Sequence, residues 1–324
     1  MRKQTPGYLH LLQKGELRKR VRLLFSIFSS CKLCPWKCGV DRTKGEKGRC
    51  GASNKVKVAK AIPHFGEEPV ISGTRGSGTI FFSHCNLKCC YCQNYQISHE
   101  GMGKNISVEE LSRVMLGLQE KGCHNINLVS AAHYLPLIIK ALCLAAKDGL
   151  CIPIVYNTNG YEDAQVLRLL DGIIDIYLPD AKYANDTCAM KYSSAKNYSR
   201  VNLRAVQEMF RQAGCPVIDS KGIALKGLIV RHLVLPGSLS GTRQVLQKLK
   251  KHFGPFISIS LMGQYIPCYN AHNFKELSTR TSREEYFQAV EILESLGFEN
   301  GWTQDWDSLD SGVVPDFTKS DTWN

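Results

Sequence analysis

Two groups of cysteines have the spacing of metal ligands. The first group reads C-x3-C-x2-C and comprises Cys85, Cys89 and Cys92. The second group reads C-x2-C-P-x2-C-x11-C and comprises Cys31, Cys34, Cys38 and Cys50. These residues are half of the 14 cysteines in the chain, and short spacings within a long chain favour metal binding over a disulfide framework. We interpret Cys90, inside the first group, as a spacer that packs as a small buried hydrophobe.

The first group is incomplete as a metal site. Three thiolates are one short of a closed tetrahedral zinc site, and one short of the set that a cubane of four irons takes. A loop with three cysteines therefore leaves one iron open to a ligand from outside the protein. The motif begins two residues after a predicted strand, at the edge where parallel α/β folds carry their chemistry.

The second group is a complete ligand set. Four thiolates suit structural zinc or a second iron–sulfur cluster. The stretch from Lys37 to Lys47 is basic, which helps to keep thiolates deprotonated. The spacing does not decide between zinc and iron–sulfur, so we expect a second metal centre of one kind or the other.

The composition indicates a soluble globular protein. The chain has 324 residues, of which 44% are hydrophobic and 22% are charged. No run of about 18 apolar residues occurs, so we predict no membrane-spanning helix. The apolar stretch Val21 to Phe28 follows basic residues, but no small-residue cleavage site comes after it. We therefore predict a short amphipathic helix instead of an export signal, and a cytoplasmic protein without a membrane partner.

The formal net charge of +12 permits an anionic partner such as nucleic acid. The excess is spread over residues 14–22, 55–60 and 248–251, and no nucleic-acid-binding motif accompanies it. We therefore interpret it as a solvated basic surface and do not expect nucleic acid as a partner.

From residue 78 onwards, apolar strand-like runs alternate with helical stretches. The runs are TIFFS, INLVS, IPIVYNT, IIDIYLP, GLIVRHLVL and ISISLMGQY, at residues 79–83, 126–130, 152–158, 173–179, 227–235 and 257–265. Continuous runs rich in Ile and Val are typical of parallel strands covered on both faces. Predicted helices include two with capping boxes, at Ser107 with Glu110 and at Ser282 with Glu285, and others at 134–147, 162–171, 199–214 and 241–253.

Six successive β-then-α units indicate an α/β fold with a parallel sheet. Six units are too few for a closed eightfold barrel. The pattern alone leaves two architectures open, a partial barrel and a doubly wound sheet.

With Tyr91 directly before its last cysteine, the C-x3-C-x2-C loop resembles the signature of the radical S-adenosylmethionine superfamily. The resemblance implies a partial (β/α)6 TIM-like barrel and a 4Fe–4S cluster on Cys85, Cys89 and Cys92. It implies that S-adenosylmethionine chelates the open iron through its amino and carboxylate groups. One electron, from a reductant such as flavodoxin or ferredoxin, would break the sulfonium C–S bond, and the 5′-deoxyadenosyl radical would abstract hydrogen from a substrate.

The segment GSGTIFFSHCNLKCCYCQN, residues 76–94, resembles the branch of pyruvate formate-lyase activating enzyme. In that branch D-T-N-G, D-x-K and R-x-V-V-V-P-G stretches end three successive strands near the cofactor. Residues 157–160 keep T-N-G without the acid, residues 180–182 match D-x-K, and residues 231–237 follow the third pattern. The resemblance implies a cofactor pocket formed by Tyr91, Asn157, Asn159, Asp180, Lys182 and Arg231. Each stretch alone also fits an ordinary turn or a surface ion pair.

The chemistry of these side chains suits the implied cofactor. Asparagine and aspartate can hold ribose hydroxyls, and lysine and arginine can meet a carboxylate. One position departs from the superfamily, which often places G-G-E after the second strand to bind the methionine amino group. This chain has Ser130-Ala131-Ala132-His133 there, so Ser130 and backbone carbonyls would accept instead. We interpret His133 as a neutral, hydrogen-bonded histidine, and we assign no catalytic residue beyond the cluster ligands.

The N-terminal cysteine segment contains C-x-L-C-P-x-x-C-G-V followed by G-E-K-G-x-C-G-A, which resembles the activase-like PflX group. That group has such an extension before its radical S-adenosylmethionine core. We predict a basic amphipathic segment at 1–30, a Cys-rich metal-binding extension at 31–77, the barrel core at 78–304 and a tail at 305–324. The stretch from His64 to Pro69 resembles the same group. Glu67 and Glu68 could reach the mouth of the substrate site, but we predict that they lie in a solvated loop.

The expected function is reductive cleavage of S-adenosylmethionine for hydrogen abstraction, with a glycyl-radical enzyme as the protein substrate that the resemblance implies. Two alternatives stay open. One is radical modification of a different protein or of a small molecule. The other is a non-catalytic, cysteine-rich protein that binds zinc or nucleic acid.

Overall fold

The computed structural model describes residues 5–308 and residue 317. The strands in this part of the chain are β1 (Val56–His64), β2 (Ser77–Phe82), β3 (Lys104–Ile106), β4 (Ile126–Val129), β5 (Ile154–Thr158), β6 (Ile176–Pro179), β7 (Val217–Ile218), β8 (Ala224–Leu233), β9 (Ser258–Met262) and β10 (Gly301–Thr303). The α-helices are α1 (Gly7–Gln13), α2 (Glu16–Ser26), α3 (Pro69–Ser72), α4 (Tyr95–Ser98), α5 (Val108–Glu120), α6 (Leu135–Lys147), α7 (Ala164–Arg168), α8 (Asp186–Ser193), α9 (Tyr198–Ala213), α10 (Thr242–Phe253) and α11 (Arg283–Ser295).

The strands form one sheet in the order β10-β9-β8-β6-β5-β4-β2-β1-β3, and β7 pairs with β8 outside this path. From β2 to β10 all neighbours along the path are parallel. These strands lie side by side in chain order without a reversal, and right-handed crossovers then return every helix on the same side of the sheet. A doubly wound sheet reverses its order at a switch point, so that alternative is wrong. The fold is the predicted partial barrel.

All six predicted strands are present, and four further strands were not predicted: β1, β3, β7 and β10. Strand β1 pairs antiparallel with β2 and β3. It comes from residues 31–77, so the Cys-rich extension contributes a strand to the sheet of the barrel. Its sequence, VKVAKAIPH, buries Val56 and Val58 but is interrupted by lysines, which obscured its strand character.

The helices cover the outer side of the barrel. Both predicted capping boxes are confirmed, at the first residues of α5 and α11. Helix α2 begins five residues before the predicted apolar stretch at 21–28 and buries Leu17 and Leu24 in the core that α6 shares. Among the described helices, none combines the length and the apolar character that crossing a membrane requires. Most of the predicted tail at 305–324 lies outside the described residues.

Candidate active site

A cavity of about 450 Å³ is lined by the loops that follow the parallel strands. Its wall includes the three cysteines of the first group and all six predicted pocket residues: Cys85, Cys89, Cys92, Tyr91, Asn157, Asn159, Asp180, Lys182 and Arg231. Parallel strands direct their carboxyl ends to one edge of a sheet, which is how residues from four different strand ends meet here. The fold therefore assembles one site from residues that are far apart in the sequence.

Each thiol of the loop after β2 has a polar neighbour from a different segment. The distances are 3.3 Å from Asn159 Nδ2 to Cys85 Sγ, 3.0 Å from Ser193 Oγ to Cys89 Sγ and 3.1 Å from Ser98 Oγ to Cys92 Sγ. Burial raises the pKa of each thiol to about 11. Metal binding would displace a proton from each sulfur, and the affinity for metal would therefore increase with pH.

Backbone N–H groups are directed at thiols of both cysteine groups. In five thiols burial raises the pKa, and a hydrogen bond from the backbone N–H two residues further along the chain lowers it. These thiols belong to Cys31, Cys34, Cys50, Cys85 and Cys92. Hydrogen bonds to the charged form of a group favour that form. The repeated geometry fits anionic thiolate ligands in both groups.

The turn after β5 fixes the loop that carries Cys85. Gly160 has a φ of +72°, and a Cβ there would lie 2.2 Å from the carbonyl oxygen of Asp180, so only glycine fits. Next to it, Asn159 Nδ2 donates to Asn86 Oδ1 at 2.7 Å, in addition to its contact with Cys85. Asn159 therefore supports the cysteine loop as well as lining the cavity.

Asp180 and Lys182 form an ion pair in the cavity wall. Lys182 Nζ lies 2.6 Å from Asp180 Oδ2, and the two side chains are only 16% and 20% exposed. Burial alone would lower the pKa of Lys182, but the neighbouring groups together, Asp180 first among them, outweigh burial and raise it. Asn202 Nδ2 holds the carbonyl oxygen of Asp180 at 2.8 Å. The pair presents a charged ammonium group in the cavity that also contains Cys89.

The prediction that Glu67 and Glu68 lie in a solvated loop is wrong. Both carboxylates are buried in the cavity wall, with 7% and 4% of their side chains exposed, and both pair with Arg231 of β8. Glu68 binds the guanidinium twice, at 2.7 Å to Nε and 2.6 Å to Nη2. Glu67 Oε1 also accepts from Asn127 Nδ2 at 2.8 Å and from Asn157 Nδ2 at 3.4 Å. Arg231, more than 160 residues away in the sequence, offsets the desolvation cost of burying these two carboxylates.

Tyr91 and Cys90 support the cysteine loop from behind. Tyr91 is 5% exposed, and its hydroxyl contacts that of Tyr183, which in turn lies 2.8 Å from Ser193 Oγ. Ser193 is the neighbour of the Cys89 thiol, so this chain of hydroxyls ends at the sulfur. Cys90 is buried in the same apolar cluster, as its interpretation as a spacer requires.

The turn after β4 contains Ser130-Ala131-Ala132-His133, at the position where the superfamily often has G-G-E. Ser130 lines the cavity with a φ of +57°, the left-handed conformation that glycine adopts most easily. Its N–H donates to the carbonyl of Asn157 at 3.0 Å. His133 is fully enclosed, its Nε2 lies 2.8 Å from the carbonyl oxygen of Ser83, and burial lowers its pKa to about 3. It is therefore the neutral, hydrogen-bonded histidine that we predicted.

The four N-terminal cysteines form a second group beside the barrel. A Cβ on Gly48 would lie 3.2 Å from Cys38 Sγ and 3.5 Å from Cys50 Sγ. Charge interactions connect Cys31 with Cys38 and Cys50, and Cys34 with Cys50. Cys38 is exposed, whereas Cys31 and Cys50 are buried. Within the described residues, no three Cys, His, Asp or Glu side chains converge as tightly as the ligands of a single metal ion do.

Arg42 gives a test of what this second group can hold. The side chain is fully buried, Nε donates to the carbonyl of Ser53 at 2.9 Å, and Nη2 donates to the carbonyl of His133 at 3.1 Å. Nη1 has no acceptor among the described residues. Burial raises the pKa of the Cys31 and Cys50 thiols, and the charge of Arg42 acts in the opposite direction. A buried cation with an unused donor fits a neighbouring thiolate centre of negative charge.

Sequence reasoning missed four residues that shape these sites: Trp36, Arg42, Asn86 and Ser193. Three of them lie inside or directly beside the cysteine motifs, so their position was a signal that pointed to them. Ser193 is 104 residues from Cys89, and no sequence pattern connects the two.

A family model described as the radical SAM superfamily matches residues 79–227. An uncharacterized protein of Methanocaldococcus jannaschii is 28% identical over 301 residues, which cover 90% of this chain and 82% of that protein. Among solved structures, the FeFe-hydrogenase maturase HydG from Carboxydothermus hydrogenoformans is 16% identical with a TM-score of 0.47, over 71% of this chain and 53% of HydG. Methylornithine synthase is 13% identical with a TM-score of 0.44, over 87% of this chain and 73% of the synthase.

The chain spans about half the length of the HydG structures that it matches. The match to the family model covers β2, the cysteine loop, β4, β5 and β6, which supply most of the cavity wall described above. Over residues 79–227 the chain is therefore similar to the radical SAM superfamily.

Proposed function

We propose that this protein is an enzyme that cleaves S-adenosylmethionine reductively with a 4Fe–4S cluster and abstracts hydrogen from a substrate. The match of residues 79–227 to the radical SAM family model supports an enzyme with this cluster and this cofactor. The observation that carries the proposal is the presence of three thiols, two asparagines and a lysine–aspartate pair on the wall of one cavity.

In this proposal Cys85, Cys89 and Cys92 bind three irons of the cluster, which when bound supplies the electron for cleavage of the sulfonium C–S bond. Asn159 and Ser193 lie within hydrogen-bond distance of two of the sulfurs and reduce the cost of their negative charge. Three protein ligands leave a coordination position free for the cofactor.

The polar residues of the wall would bind and orient the cofactor. Lys182, kept charged by Asp180, suits the carboxylate of the methionine group, and Asn157 suits a ribose hydroxyl. The hydroxyl and carbonyl of Ser130 suit the amino group. Arg231 is already bound by Glu67 and Glu68, so its role would be to hold that side of the cavity in shape.

Formation of 5′-deoxyadenosine tests this proposal. The protein is reconstituted with iron and sulfide without oxygen, then mixed with dithionite and S-adenosylmethionine, and the nucleoside is quantified by chromatography. We expect product from the wild type and from Cys90→Ala, which removes a buried thiol of the same loop, and none from Cys85→Ala. Equal behaviour of the two variants would refute the proposal.

For the substrate we propose a glycyl-radical enzyme, from which the α-hydrogen of a glycine is removed. The support is the resemblance of residues 76–94 to pyruvate formate-lyase activating enzyme. Anaerobic capture of partner proteins, followed by electron paramagnetic resonance (EPR) after addition of S-adenosylmethionine, would reveal a glycyl radical. If 5′-deoxyadenosine forms in the presence of a partner without this signal, the alternative of another protein or a small molecule replaces it.

We also propose that Cys31, Cys34, Cys38 and Cys50 bind a second metal centre, either iron–sulfur or zinc. The support is the buried cation Arg42 and the N–H groups directed at these sulfurs. Metal analysis of a variant with Cys85, Cys89 and Cys92 all replaced by alanine measures what this group binds. We further propose the cytoplasm as location and a flavodoxin or ferredoxin as reductant.

A further inference from the structure

A tryptophan connects the two cysteine groups directly. Trp36 lies two residues after Cys34, and its indole Nε1 donates to the carbonyl oxygen of Asn86 at 2.7 Å. Asn86 follows Cys85 in the chain, and its Oδ1 lies 3.8 Å from the Cys85 sulfur. A single aromatic side chain and one hydrogen bond therefore join the loop of one group to the loop of the other.

The side chain of Trp36 is held by contacts with Arg49, Tyr161 and Asn86. The guanidinium of Arg49 lies 3.8 Å from the centre of the indole ring, a cation–π contact. The ring of Tyr161 lies 5.7 Å away, and the carbonyl of Tyr161 accepts from Asn86 Nδ2 at 2.7 Å. Trp36, Tyr161 and Asn86 thus form a closed set of contacts. Packing of a hydrophobic side chain does not require this combination of a hydrogen bond and aromatic contacts.

The second cysteine group reaches the surface on its other side. Cys38 is exposed, and so are Lys32, Lys47 and Arg49 near it in the sequence. Besides the buried Arg42, residues 32–49 contain five exposed Lys or Arg and two Asp or Glu, so the surface of this segment is basic. A basic rim around a metal centre attracts a partner with an acidic face.

The active-site cavity has a different task. Its opening has to admit the cofactor and the substrate. An electron carrier docked over that opening would compete with the substrate for the same space. Entry of electrons at a separate surface removes this conflict, because the carrier and the substrate can then be bound together.

We propose that the Cys31–Cys50 group holds an iron–sulfur cluster that relays electrons from an acidic one-electron carrier protein, through Trp36 and Asn86, to the cluster on Cys85, Cys89 and Cys92. Each transfer oxidises the carrier by one electron, and cleavage of one sulfonium C–S bond consumes that electron. The relay rests on the proposed function. It goes beyond that function by assigning the second centre a redox role and the basic rim a partner of defined chemistry.

The first test is the identity of the metal. After reconstitution, iron, sulfide and zinc are measured in the wild type and in the Cys85/Cys89/Cys92→Ala variant, with EPR before and after reduction by dithionite. We expect less iron in the variant but a remaining signal that changes on reduction. Zinc alone in the variant overturns the relay and leaves the proposed function standing. Equal iron in both proteins contradicts the proposed function itself.

The second test is the Trp36→Phe variant, which keeps an aromatic ring and removes the N–H that Asn86 accepts. Reduction of the active-site cluster is followed by freeze-quench EPR, once with reduced flavodoxin and once with dithionite, which is small enough to enter the cavity. The matched control is Trp306→Phe, because Trp306 packs against Tyr286, away from both cysteine groups.

We expect Trp36→Phe to be reduced about tenfold more slowly by flavodoxin and at the wild-type rate by dithionite. Trp306→Phe should match the wild type with both reductants. Unchanged rates in Trp36→Phe overturn the relay. Equal slowing with both reductants also overturns it, because that result assigns Trp36 a packing role only.

Discussion

The two cysteine groups are alike in how their sulfurs meet the backbone and unlike in what lies around them. Both groups receive N–H groups from residues two positions further on, and burial raises the pKa of the thiols of Cys31 and Cys50 in one group and of Cys85 and Cys92 in the other. The active-site group has three sulfurs on the wall of a cavity, each with a side-chain neighbour. The N-terminal group has four sulfurs, a buried arginine on one side and an exposed cysteine on the other.

This difference separates two uses of the same ligand chemistry. A group with one ligand missing and a cavity beside it is suited to accept a ligand from solution. A complete group beside a buried cation with one unused donor among the described residues is suited to hold a saturated anionic centre, and its exposed edge allows contact with a partner. The number of cysteines and the surroundings of the sulfurs point to the same assignment in each case.

The largest expected effect compares one ligand from each group. Cys85→Ser should abolish 5′-deoxyadenosine formation with dithionite, because the active-site cluster loses one of only three ligands. Cys38→Ser should lose metal from the N-terminal group while keeping product formation with dithionite. Iron content and nucleoside yield are measured in parallel on both variants. Loss of product in both would mean that the groups form one interdependent centre.

The sequence predicted a parallel α/β sheet because six of its parallel strands are apolar runs that alternate with helical stretches, and the resemblance to the radical SAM superfamily favoured the partial barrel. It also identified the polar residues that meet in the cavity, since Asn157, Asp180 and Arg231 stand at the carboxyl ends of strands. Strand order was open until the structure gave it, because local patterns do not encode which strands become neighbours.

The prediction was wrong at Glu67 and Glu68 for a related reason. Two adjacent glutamates before a proline look solvated, since burying a carboxylate is costly without a partner. The partner, Arg231, was predicted to bind the cofactor carboxylate, and nothing local in either segment revealed the pairing. The donor properties of Trp36 were invisible in the same way, because its acceptor is a backbone carbonyl 50 residues away.

The next largest effect concerns the ion pair that ties the extension to the barrel. Glu68→Gln removes the carboxylate that binds Arg231 twice, and we expect a loss of about 3–5 kcal/mol in the free energy of unfolding. Glu284→Gln, at an exposed residue in the first turn of α11, is the control and should change stability little. Urea denaturation at pH 7 measures both.

The pH dependence of the free energy of unfolding shows whether the ion pair between Glu68 and Arg231 stabilises the folded protein. Burial would raise the pKa of Glu68, but the charge of Arg231 and the hydrogen bonds to the carboxylate together outweigh burial and hold the pKa below the ordinary value of 4.5. A carboxyl whose pKa is lowered by folding stabilises the protein above its unfolded pKa, and this stabilisation is lost as the pH falls through the folded pKa. The wild type should therefore lose more stability than Glu68→Gln on acidification below about pH 4.5. Parallel curves for the two proteins would contradict the pairing.

A smaller effect, on metal affinity, tests whether the N-terminal cysteine group holds an anionic centre. Arg42→Met removes the buried charge beside Cys31 and Cys50, and we expect a loss of about 10–100-fold in metal affinity at that group. Competition with a chelator measures the affinity in the Cys85/Cys89/Cys92→Ala background. Arg283→Met is the control, since that arginine is exposed and lies 5.4 Å from the ring of Phe287. Unchanged affinity in Arg42→Met would mean that the arginine serves packing alone.

The smallest expected effect concerns the basic rim, because surface charges act at long range and are screened by salt. Replacing Lys32 and Lys47 by glutamate should slow reduction by flavodoxin up to about tenfold at low ionic strength. The slowing should shrink as salt is added. The same double replacement at Lys140 and Lys147, two exposed lysines of α6, changes the net charge equally without altering the rim. Equal slowing in the two variants would attribute the effect to total charge, whereas slowing confined to the rim variant would place electron entry beside Cys38.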